Sequence, residues 1–153
     1  MAIAEKTAVN YSYLTDLIGH LAGLTHLRAT QLCTAELANI GLTPKQFVAL
    51  EFIANNPNIS QKEIATHIGT TPTVLVNVLD VMTERGLLMR VRSLTDRRRH
   101  SVVLTEKGEA LRGRVRKAAY AVEDQLQLEG GLDAAEWQQL QRLMQKLAQR
   151  SAG

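Results

Sequence analysis

The chain has 153 residues, 45% hydrophobic, 22% charged and only 4% aromatic, with a formal net charge of +3. This is about one domain of ordinary globular balance, which argues against extended disorder, and its Leu/Ala content suits helices packed through aliphatic ridges better than an aromatic-rich β-sandwich. A single cysteine, Cys33, excludes an intrachain disulfide, and neither an apolar signal core in Met1 to Thr15 nor a run approaching roughly 18 apolar residues is present, so a soluble cytoplasmic protein with no membrane partner is expected.

The first predicted helix runs from about Tyr11 to Asn39, where Leu14, Leu17, Ile18, Leu21 and Leu24 recur every three or four positions and Gly41 punctuates the end. Thr43-Pro44-Lys45-Gln46 reads as a cap, a proline at the first helical position and a capping box. The helix it opens carries Phe47, Leu50, Ile53 and Ala54 on one side and stops at Asn55-Asn56-Pro57-Asn58. Ser60-Gln61-Lys62-Glu63 is a second capping box, starting a short helix through Ile68. Gly69-Thr70 turns the chain, and Thr71-Pro72 starts a longer helix to about Arg85, closed by Gly86. Two short helices joined by a Gly-containing turn form a helix-turn-helix layout. Leu87 to Arg92 and His100 to Leu104 read as paired strands around the turn residues Ser93-Leu94-Thr95-Asp96. Thr105 caps a long helix striped by Leu111, Val115, Ala118, Val122 and Leu126 and broken at Gly130-Gly131. Asp133 and Glu136 form another capping box, and Trp137, Leu140, Leu143, Met144 and Leu147 stripe the last helix. The expected fold is mainly α with a small β-hairpin wing, in the order α-α-α-α-β-β-α-α. The terminal helices carry more apolar stripe than one wing module can cover, which predicts a two-fold homodimer.

Positive charge is concentrated. Arg85 to Lys117 hold eleven Lys/Arg against three acids, whereas the remainder holds seven against twelve. Such asymmetry suits a polyanion, because each neutralised phosphate releases counterions. The stretch Asp96-Arg97-Arg98-Arg99-His100 places that charge at the hairpin tip, as a winged helix-turn-helix does when it holds a duplex. On the helix opened by Thr71-Pro72, Leu75, Val78, Leu79 and Met82 share the core face, and Thr73, Val76, Asn77, Asp80 and Glu84 share the other. Asn77 can pair with adenine, while Thr73 and Val76 can press methyl groups against thymine. The expected partner is therefore double-stranded DNA, a pseudo-palindromic operator with A·T-leaning half-sites. The candidate DNA-binding residues are Thr71, Thr73, Val76, Asn77, Arg90, Arg92, Arg97, Arg98 and Arg99.

The chain resembles the MarR family of bacterial transcriptional regulators. The resemblance rests on Leu42-Thr43-Pro44-Lys45-Gln46-Phe47, the Ser60 to Ile68 helix, Glu84-Arg85-Gly86-Leu87-Leu88 with Arg90, and Asp96-Arg97-Arg98 followed by Leu104-Thr105-Glu106-Lys107-Gly108. It implies one MarR-like domain over 1–153, with a winged helix-turn-helix over 42–105 and dimerisation helices over 10–40 and 106–150. It also implies that Asp96 and one of the arginines brace the wing turn while another arginine, for which Arg98 is favoured, enters the minor groove. The expected function is that of a repressor released from its operator by a small effector, an aromatic or phenolic acid or thioester. Many relatives carry Arg or Lys where Asn77 or Val81 stands here, so phosphate affinity should shift onto the wing.

For the effector, His20, Arg28 and Tyr120 are the candidates: a cationic group on a mostly apolar wall suits an aromatic carboxylate. Cys33 offers a rival, a thiol-oxidation sensor, but it lies late in the first helix with no adjacent cation and reads better as a small hydrophobe. No phosphate loop, nucleophile elbow or His/Cys/carboxylate cluster at metal-ligand spacing is present in the sequence, so neither an enzyme, a metal site nor a cofactor is expected. A non-specific architectural DNA-binding protein is the remaining alternative.

Overall fold

A computed structural model describes residues 12–57, 59–92 and 100–149. A 3-10 turn, Ser12–Asp16, leads into α1 (Ile18–Ala38), α2 (Pro44–Asn55), α3 (Gln61–His67) and α4 (Pro72–Glu84). Strands β1 (Leu88–Arg92) and β2 (His100–Leu104) follow, then α5 (Glu106–Gly130) and α6 (Ala134–Gln149). The strands pair antiparallel from Leu88 opposite Leu104 to Arg92 opposite His100. The expected element order holds, with two differences. The first helix is not continuous: Leu17 is extended (φ −94°, ψ 112°) and separates the 3-10 turn from α1. Leu17 itself is no breaker, and the nearby Gly19 already lies inside α1, so periodicity reads the two pieces as one. The first strand begins at Leu88 because the Leu87 N–H bonds back to the Met82 carbonyl at 2.9 Å.

That bond belongs to a helix-ending motif used repeatedly. At Gly86 (φ 69°) the backbone turns left-handed, and the Gly86 N–H reaches Thr83 O at 2.8 Å. These two bonds satisfy carbonyls that α4 leaves open, and glycine adopts the conformation without Cβ strain. The same pair of bonds recurs beyond α1, α3 and α5, at Gly41, Gly69 and Gly131. The starts are equally explicit. Thr43 and Ser60 form full capping boxes, and Thr71 and Thr105 cap through their hydroxyls.

The core joins Leu37 and Leu42 to Leu50 and Ile53 of α2, Ile64 of α3, Leu75, Leu79 and Met82 of α4, and Val115 of α5, with Leu88 and Val102 closing it from the wing. α5 approaches the α4–β1 link so closely that a Cβ on Gly108 would stand 2.3 Å from the Leu87 carbonyl oxygen. Around that contact the Thr105 N–H donates to Leu87 O, the Thr105 hydroxyl to Gly86 O and Lys107 Nζ to Arg85 O. The segment Leu104 to Gly108 is thus the joint that fixes the wing module to the long helix.

The terminal helices remain uncovered. α6 buries no residue, with Leu140, Leu143, Met144 and Leu147 40–56% exposed. The predicted first-helix stripe is likewise open at Leu17, Ile18, Leu21 and Leu24, Leu27 is open beside it, and only Leu32 and Leu37 are buried in α1. Two adjacent apolar helix faces on one molecule mark an interaction surface.

Candidate DNA interface and effector clefts

The helix-turn-helix is α3–α4, and its second helix presents the anticipated face. Leu75, Leu79 and Met82 are buried, Val78 is half-buried, and Thr73, Val76 and Asn77 are exposed in the first turns. Thr71 Oγ1 accepts the Val74 N–H at 3.3 Å, so its hydroxyl is left to act as a donor at the helix start. Asp80, farther along this face, is bound by the Arg90 guanidinium from β1. Both side chains are about half exposed, so the pair contributes at most about 1 kcal/mol to stability. The pair compensates the one carboxylate-bearing position at the middle of this face. Arg90 thus rests against α4 in a weak, solvent-exposed pair. Arg92 ends β1 opposite His100; Asp96, Arg97, Arg98 and Arg99 lie outside the described residues.

The three effector candidates do not converge. His20 is half-buried near the start of α1, two turns before Arg28. Arg28 makes a bidentate pair with Glu129 of α5 (Nε–Oε2 2.8 Å, Nη2–Oε1 2.6 Å). The hydrogen bond to Arg28 holds the Glu129 carboxyl below its ordinary range. The pair rims a groove of about 400 Å³ whose wall includes Leu24, Leu126, Trp137 and Leu140, at the uncovered helical end. Tyr120, 71% exposed, stands elsewhere on α5, beside a cleft of about 400 Å³ shared with Phe47, Glu51, Arg116 and Ala119.

Sequence reading missed a smaller, more apolar cleft of about 210 Å³ between α1, α2 and α5. His26, Thr30 and Cys33 enter it from α1, Phe47 and Val48 from α2, and Ala119 and Glu123 from α5. Phe47 and Ala119 also line the Tyr120 cleft, so the two cavities flank the same pair of side chains. Burial raises the pKa of the Cys33 thiol, which keeps it protonated and poorly nucleophilic.

Also missed was the ionic joint between α2 and α5. Arg116 grips Glu51 through Nε at 3.0 Å and Nη2 at 2.8 Å. Arg112 reaches the same carboxylate at 3.2 Å, Asn55 at 3.0 Å and Glu109 at 3.1 Å. The bonds from Arg116, then those from Arg112, lower the Glu51 pKa to about 2 against the opposing effect of burial. The signal was present in the sequence: Glu51/Asn55 and Arg112/Arg116 are both spaced by four, so each pair shares a helix face.

Capped helix pair, two-stranded wing and long flanking helices define a winged helix-turn-helix DNA-binding protein. The MarR family profile matches residues 40–99. A structure of the transcriptional repressor CouR bound to a 23-mer DNA duplex superimposes with a TM-score of 0.77 at 32% identity, over 94% of this chain and 98% of that one. CouR bound to p-coumaroyl-CoA matches at 30% identity and a TM-score of 0.76, over 92% and 97% of the two chains. The HTH-type transcriptional repressor Rv2887 of Mycobacterium tuberculosis is 29% identical over 114 residues, covering 74% of this chain and 81% of its own. Its complex with salicylic acid matches with a TM-score of 0.74 at 27% identity, over 86% and 96%. The transcriptional regulator HosA of Escherichia coli is 32% identical over 108 residues, 69% of this chain and 77% of its own.

The chain belongs to the MarR family. It is a dimeric DNA-binding transcriptional regulator rather than an enzyme. Among the described residues, no helix is long and apolar enough to cross a membrane, and no three His, Cys, Asp or Glu side chains are grouped to hold a metal ion.

Proposed function

We propose that the protein is a homodimeric repressor of a pseudo-palindromic, A·T-leaning operator, released by an aromatic or phenolic acid or its thioester. The observation that carries this reading is the cleft walled by α2, which belongs to the DNA-reading head, and by α1 and α5, which belong to the dimerisation helices. A ligand wedged there changes the angle between head and scaffold. Because half-sites lie about one helical turn apart, a few ångströms of misalignment deny the two heads simultaneous contact. The salicylic acid bound to Rv2887 and the p-coumaroyl-CoA bound to CouR are aromatic compounds of the chemistry this cleft suits.

In this reading residues 42–105 form the head, with Thr73, Val76 and Asn77 facing the base edges and Arg98 entering the minor groove from a wing braced by Asp96. Thr71, Arg92, Arg97 and Arg99 meet the backbone, and Arg90 joins them when it leaves Asp80. The effector is handled by His26, Thr30 and Phe47, with Tyr120 on the adjoining cavity, rather than by His20 and Arg28, since Arg28 lines the separate groove at the uncovered helical end. Oxidation sensing through Cys33 is disfavoured by the raised pKa of its thiol.

The test is a mobility-shift titration of the dimer on duplex from its own upstream region. It should bind at least about 10³-fold more tightly than unrelated duplex, and an aromatic acid or thioester should reverse the binding. Equal affinity for both duplexes would instead identify a non-specific architectural protein.

A further inference from the structure

The joint between α2 and α5 lies on the wall of the cleft that holds Tyr120, and its two arginines differ in how firmly they are held. Arg112 is 17% exposed and bonded to Glu51, Glu109 and Asn55. Arg116 is 49% exposed, donates two hydrogen bonds to Glu51, and is turned to a cavity of about 400 Å³ between Phe47 and Tyr120. The charged groups facing Arg116 are Glu51 and Arg112, with the neutral Tyr120 phenol beside them. Glu51 therefore has a second, more buried partner that would keep its charge compensated if Arg116 moved away.

We propose that Arg116 is the anion receptor in the cavity adjoining the effector cleft, which shares Phe47 and Ala119 with it, and that Glu51 is the internal ligand which an incoming anion displaces. The proposal rests on the effector reading above and supplies its coupling step. An aromatic body lies between Phe47 and Tyr120, while its anionic group takes the two guanidinium N–H donors now given to Glu51. A bidentate Arg–anion pair has the same geometry as the bond it replaces. The exchange is feasible because Arg116 is itself half-exposed, the incoming anion replaces its lost bonds, and Glu51 retains Arg112. The anion also repels the Glu51 carboxylate across the cleft. One of the two ties holding α2, the inner helix of the DNA-reading head, against α5 is then lost.

The anion can be the carboxylate of a free aromatic acid or a phosphate of its coenzyme A thioester, and the test separates these sources. Salicylate, uncharged salicylamide and benzoyl-coenzyme A are titrated calorimetrically into the full-length dimer and its Arg116→Gln and Glu51→Gln variants. Far-UV circular dichroism and duplex binding report on their fold. If the carboxylate is the recognised anion, wild type prefers salicylate to salicylamide by about tenfold or more, and Arg116→Gln reduces that ratio to about one. If the phosphate is recognised, benzoyl-coenzyme A alone binds and weakens by a similar factor in Arg116→Gln. In both cases Glu51→Gln strengthens anion binding several-fold, because the internal competitor has lost its charge. Unchanged anion affinity in either variant overturns this proposal while leaving the effector reading intact. Failure of all three compounds to bind wild type overturns the effector reading, and this proposal with it.

Discussion

Glu51 is the residue on which most charge converges, and its titration gives a direct measure of the joint. The Arg116 and Arg112 hydrogen bonds lower its pKa from 4.5 to about 2. With the folded value depressed, the carboxylate's contribution is fully present above about pH 4.5 and is lost as the pH falls through about 2. Glu51→Gln should therefore lower stability by about 1–3 kcal/mol at pH 7, and the gap to wild type should close on acidification across that window. Denaturant unfolding at a series of pH values would show it, and a gap that persists unchanged at pH 2 would mean that the ionic joint is not its source. Asp80 makes a different prediction. Neutralising it as Asp80→Asn releases Arg90, whose charge can then meet a phosphate. Affinity should rise for any duplex, and the slope of log affinity against log salt should steepen by about one. Asn77→Ala should instead relax sequence preference at one base pair, at about 1–3 kcal/mol of discrimination. Competition between matched and mismatched duplexes distinguishes the two effects.

At the level of elements, helix ends were legible and helix contacts were not. The cap at Thr43, the box at Ser60 and the stops at Gly41, Gly86 and Gly131 were readable because each signal is local, a side chain or a φ serving its own turn. The break at Leu17 was invisible because it is carried by no breaker residue. Arg28 and Tyr120 were assigned to one cleft because both sit on long helices with apolar neighbours. Which face of α5 meets which face of α1 is decided by packing, and the fold placed them on separate cavities. The segment Leu104 to Gly108 lies between these cases: it was legible as a resemblance, and its meaning emerged from contacts. Gly108 permits α5 to lie against the Leu87 carbonyl, so Gly108→Ala must shift either the helix or the strand connection. The expected loss is about 1–3 kcal/mol, with weaker DNA binding as the wing loses its set against α4. A variant of wild-type stability would show that this approach is looser than 2.3 Å implies.

For the whole molecule, the uncovered faces of α1 and α6 have a consequence that neither helix has alone. The head has its own core in Leu50, Ile64, Leu75, Leu79 and Met82, while α6 adds no buried residue to it. Charges on the α6 stripe should therefore break pairing without unfolding the head. In Leu143→Glu combined with Leu147→Glu, two side chains now 50% and 56% exposed would bring like charges to a two-fold interface. Sedimentation should give one protomer's mass, and circular dichroism should retain most of the helix signal. Operator affinity should fall by about 10²–10⁴, because the second head no longer binds at the effective concentration imposed by the first. The weaker salt-dependent binding of one head to unrelated duplex should survive, since it depends on that head's own cations. If the variant remained dimeric and bound operator as wild type, pairing would have to use a surface other than the α6 stripe. The cleft between α2 and α5 would then act on the spacing of two heads joined by a different scaffold.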